Sequence, residues 1–168
     1  FLTDINKEID RLNLIIGDLL TLVSMDSKSM RLNRTTFSLA QVVTDTAHRL
    51  ALVIEKRHQE HKLQLNDRCD MYADCAKLSQ VVYNLMENAS KYTQEGGVIR
   101  VRLIRSGRDA ILSVSDNGPG IPKEDQSHIF DRFYRVDKGR SRETGGSGLG
   151  LSIVHQMVLM HGGTVTVD

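Results

Sequence analysis

The sequence predicts an α+β fold, with a mixed sheet under a helical layer and one long helix ahead of both. Three observations carry this prediction. Apolar residues recur at three- and four-residue steps in the first 26 positions, again after Ser38, and again near 76–92 and 149–161. HKLQL, VIRVRLI and AILSVSD alternate apolar and polar side chains as half-buried strands do. The helices and strands do not follow one another as regular βαβ units, which argues against a doubly wound parallel sheet.

The first helix spans 1–26. Leu2, Ile5, Ile9, Leu12, Ile16, Leu19 and Val23 step by 3 and 4 in strict alternation, a heptad seam. Leu14, Ile15, Leu20 and Leu22 widen the stripe, which suits a helix in a bundle better than a two-stranded coil. The polar run SKSMRLNRTT then reads as a linker. Ser38 is a predicted N-cap for a helix through Lys56, and Asp74 for a helix over 76–92. Short strands fall at HKLQL and around Met71-Tyr72, and Gly96-Gly97 closes the second of these helices. VIRVRLI and AILSVSD form a hairpin turning at Ser106-Gly107. A short helix is predicted at 123–131, a charged glycine-rich loop at 134–147, a helix at 149–161, and the opening of a strand at GGTVTVD.

With 168 residues the chain allows one globular domain and an appendage. The apolar share is 40% and the charged share 26%, which excludes disorder and collagen-like repeats. A net charge of +1 gives no global field to call for nucleic acid, and none is expected as a partner. No apolar run reaches 18 residues, so no transmembrane segment is expected in these residues. Cys69 and Cys75 fit neither a CxxC metal spacing nor a disulfide framework and read as free thiols. His58 and His61 have metal-compatible spacing but no convergent acid or Cys, so they read as surface histidines.

Three clusters carry chemistry. On the helix over 76–92, Asn84, Asn88 and Lys91 share one face, with Tyr92 beside them. Two carboxamides and an ammonium suit a magnesium–phosphate group, because Mg²⁺ keeps several waters and takes few protein oxygens. After the second hairpin strand comes Asp116-Asn-Gly118-Pro-Gly120-Ile121-Pro122, which holds both prolines. A carboxylate ending an apolar strand is costly unless paired, and the glycines admit a flat ligand close to the backbone. Last, Gly145-Gly146-Ser147-Gly148-Leu149-Gly150 opens directly into a helix, where free N–H groups and the helix dipole favour an anion. The first of these glycine clusters lacks the dinucleotide-binding fingerprint, and the second lacks the lysine of a Walker A loop.

In this order the clusters resemble the N box, G1 box and G2 box of sensor histidine kinases. Phe130-Asp-Arg132-Phe133-Tyr-Arg135 between the last two resembles their F box. The resemblance implies the Bergerat two-layer α/β sandwich over 37–168, with its last strands missing. It further implies that 1–28 is the second helix of the dimerisation and phosphotransfer domain and that 29–36 is a linker. The implied cofactors are ATP and Mg²⁺. Asn88 would hold the metal with Asn84 nearby, and Lys91 and Tyr92 would touch the phosphates and nucleotide. Asp116 would accept from the adenine amino group, Gly118 and Gly120 would shape the base pocket, and Gly146, Gly148 and Gly150 would border the phosphates. Ile121, Phe130, Ser147 and Leu149 complete the implied nucleotide set. The lid would be 134–147, and Arg132, Arg135, Lys138, Arg140 and Arg142 would be phosphate partners, Arg132 foremost.

The implied reaction is transfer of the γ-phosphoryl of Mg·ATP to a histidine and onward to an aspartate-bearing response regulator. The implied assembly is a homodimer through the N-terminal helix, in the cytoplasmic part of a membrane-anchored protein. None of His48, His58, His61, His128, His155 and His161 is followed by the acidic and basic-Thr-Pro residues of the family's phosphoacceptor, so no catalytic histidine is assigned. Two other readings remain: an ATPase of the gyrase and heat-shock-chaperone type, and a non-catalytic nucleotide-binding dimerisation module.

Overall fold

The computed structural model describes residues 2–26, 31–136 and 146–168. In chain order the elements are α1 (Leu2–Asp26), β1 (Thr35–Ser38), α2 (Leu39–Lys56), β2 (Glu60–Leu65) and β3 (Asp70–Ala73). Next come α3 (Cys75–Tyr92), β4 (Val98–Ser106), β5 (Asp109–Asp116), α4 (Lys123–Gln126) and α5 (Gly150–Met160). They divide into two compact units, one of Leu32–Gly120 and the other of Phe1–Arg31 with Ile121–Asp168.

The central unit is a helical layer on a mixed sheet. β4 is the middle strand, parallel to β2 and antiparallel to β5, with Val101 opposite both Leu63 and Val114. β1 and β3 form a separate antiparallel pair, Phe37 opposite Met71. Side-chain alternation on β4 turns Ile99, Val101 and Leu103 into the core, each fully buried, and leaves Arg100 and Arg102 exposed. Burying each such side chain contributes about 1.5–3 kcal/mol. Against that face pack Val43, Leu50 and Ile54 of α2 and Val82, Met86 and Ala89 of α3.

Both predicted caps form. Ser38 Oγ accepts from the Gln41 N–H at 3.3 Å and donates to the Arg68 carbonyl at 2.9 Å. Asp74 Oδ1 accepts from the Lys77 N–H at 3.2 Å. Its Oδ2 accepts from the Asn33 N–H at 3.0 Å, and the Lys77 ammonium lies 3.3 Å away. The hairpin turns through Gly107, whose φ of +61° is the left-handed region that glycine enters freely. Cys69 and Cys75 are free thiols.

In the other unit α1 lies against α5. The face it turns inward is not the heptad seam. Leu22 and Met25 are buried, while Ile5, Ile9, Leu12, Ile16 and Val23 are exposed. α5 buries Ile153, Val154 and Met157.

Three expected elements differ from the structure, and most of a fourth lies outside the described residues. Thr35 and Thr36, read as linker, belong to β1. The helix expected over 123–131 ends at Gln126, because its charged start offers no apolar face, and isolated turns carry the chain on to Asp131. Val165 and Val167 are half-buried, yet 163–168, expected to open a strand, pair with no strand among the described residues. Alternation supplies a face but not the ladder that makes a strand. Of the loop expected at 134–147, residues 137–145 lie outside the described residues, and with them Lys138, Arg140, Arg142 and Gly145.

Candidate nucleotide-binding site

In the central unit the site begins on α3. Capped by Asp74 and packed through Val82, Met86 and Ala89, the helix holds Asn84, Asn88 and Lys91 half-buried at its margin and Tyr92 exposed at its end. The Asn88 carboxamide has no hydrogen-bond partner among the described residues. Glu87, one residue before it, is engaged elsewhere and accepts from the Tyr83 hydroxyl at 3.2 Å. Burial, and the neighbouring Glu87 carboxylate after it, push the Tyr83 hydroxyl above its ordinary value. That hydroxyl therefore keeps its proton and donates to the carboxylate.

The last turn of α3 is held by residues that periodicity does not reveal. Its C-terminal carbonyls need partners once the helix stops. Gln59, itself buried, donates from Nε2 to the carbonyls of Ser90 and Thr93, both at 2.9 Å, and to that of Gln94 at 3.3 Å. Its Oε1 accepts from Ser90 Oγ at 2.8 Å. Arg57 Nη1 donates to the carbonyls of Ser90 at 2.7 Å and Lys91 at 3.3 Å, a cation placed at the negative end of the helix. The backbone joins in, with the Gly96 N–H on the Arg57 carbonyl at 3.2 Å and the Glu60 N–H on the Gly97 carbonyl at 2.9 Å. Lys91 and Tyr92 thus stand on a turn fixed from two sides.

β5 delivers Asp116 to the same end of α3. Asp116 is exposed, and its Oδ1 accepts from the Gly118 N–H at 2.8 Å. The expected burial cost at the strand end is therefore not incurred: the side chain bends over its own turn and stays in contact with water. Gly118 approaches α3 so closely that a Cβ there would lie 2.8 Å from the Tyr92 carbonyl oxygen. Gly120, at φ +74°, takes the left-handed conformation. Asn117 is a residue the sequence reading missed. Its Oδ1 accepts from the Val98 N–H at 2.8 Å and ties the turn to the start of β4. Its place between Asp116 and Gly118 was the available signal. The N-box and G1-box residues are thereby brought together.

In the other unit the F-box and G2-box residues meet. The Phe133 N–H donates to the Gly148 carbonyl at 3.0 Å, and Arg135 Nη1 donates to the Gly146 carbonyl at 2.6 Å. A Cβ on Gly148 would come within 3.1 Å of the Phe133 backbone, at a φ of +73°. Phe130 stacks on the His155 ring of α5 at 5.4 Å between centroids. Leu149 is fully buried and anchors the start of α5, which has no side-chain cap. Ser147 Oγ accepts from the Leu149 N–H at 3.2 Å and donates to Asp18 of α1 at 2.7 Å. Ile121 is half-buried, its carbonyl accepting from Gln126 Nε2 at 3.1 Å.

No group of three or more metal-ligating His, Cys, Asp or Glu side chains occurs among the described residues. A donor set centred on one unpartnered carboxamide fits a hard cation that takes its remaining oxygens from phosphates and water. It does not fit zinc, which takes nitrogen and sulfur in a closed shell.

Residues 73–168 match the family described as histidine kinase-, DNA gyrase B- and HSP90-like ATPases. The chain belongs to this family, and within it to the sensor histidine kinases, as its similarity to members of that group shows. It is 40% identical over 172 residues to the sensor histidine kinase WalK of Bacillus subtilis, a match covering all of this chain and 28% of WalK. The chain thus spans little more than a quarter of that relative. The solved mycobacterial sensor histidine kinase MprB is 33% identical, with a TM-score of 0.67 over 80% of this chain and 85% of MprB. The histidine kinase ThkA, solved in complex with the response regulator TrrA, is 26% identical with a TM-score of 0.76, over 95% of this chain and 43% of ThkA.

Proposed function

We propose that these residues bind Mg·ATP and present its γ-phosphoryl group to a histidine outside the 168, for passage to an aspartate of a response regulator. The single observation that supports this best is the α3 face of Asn84, Asn88 and Lys91, held at its end by Gln59 and Arg57 beside the Asp116 turn. In this reading Asn88 holds Mg²⁺ with Asn84 nearby, and Lys91 and Tyr92 contact the phosphates and nucleotide. Asp116 accepts from the adenine amino group, with Gly118 and Gly120 shaping the base pocket. Ile121, Phe130, Arg132, Gly146, Ser147, Gly148, Leu149 and Gly150 complete the nucleotide-binding set. Bound Mg²⁺ supplies positive charge to the phosphate oxygens. The chain's own part is positioning and charge stabilisation, which phosphoryl transfer chiefly needs. The imidazole nitrogen forms a bond to the γ-phosphorus, the bond to the bridging oxygen breaks, and ADP leaves with that electron pair.

The gyrase and chaperone type of ATPase needs a carboxylate one helical turn before the metal-holding asparagine, to activate water. Asn84 stands there, and an amide cannot act as a base. Glu87 is bonded to Tyr83 and faces elsewhere. The intact set of polar groups also disfavours a non-catalytic module.

The exposed seam of α1, with Ile5 at 42% and Val23 at 64% exposure, supports pairing with a second copy of the chain through that helix. No helix among the described residues is long and apolar enough to cross a membrane. We place these residues on the cytoplasmic side of a protein anchored elsewhere in its chain. Incubation with γ-labelled ATP tests the reaction. The chain alone should stay unlabelled and release little phosphate, and a longer chain carrying the acceptor histidine should become labelled. Rapid phosphate release by the chain alone would favour the ATPase reading.

A further inference from the structure

Ser147 lies in the glycine-rich stretch that opens α5, and its one hydroxyl proton is committed. It donates its one proton to Asp18 Oδ2 at 2.7 Å and accepts from the Leu149 N–H at 3.2 Å. Asp18 and Ser147 are 129 positions apart in the chain, so the bond belongs to the tertiary packing of α1 against this stretch. A distance of 2.7 Å fits a hydroxyl donating to an ionised carboxylate, among the stronger hydrogen bonds a serine makes. The start of α5 has no side-chain cap and no acidic residue in its first turn, and the carboxylate bonded to Ser147 belongs to α1.

We propose that Asp18 is an internal competitor for nucleotide phosphates, so that α1 in this position holds ATP binding down. The proposal rests on the reading that Gly146–Gly150 borders the phosphates. A phosphate oxygen approaching Ser147 finds its proton already given away. It also meets a carboxylate of its own sign at hydrogen-bond distance from that hydroxyl. Either the Asp18–Ser147 bond breaks or the phosphate does without the serine. The coupling is reciprocal: any displacement of α1 that frees Ser147 raises ATP affinity, and bound ATP favours that displacement by the same factor. A ligand without phosphates is indifferent to it.

Titration calorimetry on the full 168-residue chain tests this with Mg·ATP and with adenosine, for the parent, Asp18→Ala, Asp18→Asn, Ser147→Ala and the double variant Asp18→Ala/Ser147→Ala. Asp18→Ala should tighten ATP binding by about fivefold, from removal of one charge-assisted bond and its repulsion. Asp18→Asn, which can still accept the serine proton but has no charge, should fall between. Adenosine affinity should not change with either. In the Ser147→Ala background, removing Asp18 should give a smaller gain, because the two act through one bond. An ATP-binding parent whose affinity is unchanged or weakened by Asp18→Ala overturns this inference alone. A parent that does not bind ATP overturns the nucleotide reading and this inference with it.

Discussion

Replacing Gln59 by methionine keeps the side chain's length and removes all of its hydrogen bonds. In the parent the amide serves the Ser90 and Thr93 carbonyls at 2.9 Å and takes the Ser90 hydroxyl proton at 2.8 Å. The Ser90 carbonyl keeps Arg57 at 2.7 Å in the variant, so it is not orphaned. The Thr93 carbonyl and the Ser90 hydroxyl are, and both residues are nearly inaccessible to water. Two buried unsatisfied groups at about 1–3 kcal/mol each, less what a buried methionine returns, give a loss of about 2–4 kcal/mol. In urea, with a slope of about 2 kcal/mol per molar, the midpoint should fall by roughly 1–2 M. Ser90→Ala in the same chain removes one of the orphans, so the double variant should lose less than the sum of the single losses. ATP affinity should fall as well, because Lys91 and Tyr92 stand on the turn that Gln59 holds. A midpoint shift below about 0.3 M, or strictly additive losses, would refute the clamp.

Asp116→Ala should weaken ATP binding and erode a preference for ATP over GTP of at least about tenfold, since guanine sets a carbonyl against the carboxylate; competition calorimetry with both nucleotides reads it. Asn88→Ala should abolish the Mg²⁺-dependent part of ATP affinity and leave adenosine binding near parental, measured by titration with and without EDTA. Burial pushes His61 below its ordinary value of 6.5, and its Nε2 is buried without a partner among the described residues. The folded state therefore resists a proton that the unfolded state accepts. Stability is fully present above pH 6.5 and is lost as pH falls below it. His61→Leu should flatten urea midpoints between about pH 7 and pH 5 relative to the parent.

Much of the fold was legible because its signals are local. Ser38 and Asp74 are short polar side chains directly ahead of apolar-periodic runs, and each caps the helix expected of it. The hairpin followed from two alternating runs and a glycine between them. What stayed hidden depends on distant partners. β1 is four residues long and exists only through its pairing with β3. Gln59 follows a helix in a polar stretch, and nothing near it in sequence announces that it will serve carbonyls more than 30 positions away. On α1 periodicity identified the apolar residues but not which of them face inward. Leu22 and Met25 pack inside while Ile5, Ile9, Leu12, Ile16 and Val23 of the regular seam stay outside, a choice made by the partner helix. The same limit applies to the site. Spacing could put Asn84, Asn88 and Lys91 on one face, and only the fold brings the Asp116 turn against the end of that helix.

We propose above that this chain binds ATP in a magnesium-dependent way. Titration of the parent with ATP, in Mg²⁺ and again in EDTA, tests it most directly. One saturable site whose affinity falls when Mg²⁺ is withdrawn is the predicted result. No heat of ATP binding, or an affinity indifferent to Mg²⁺, would contradict it.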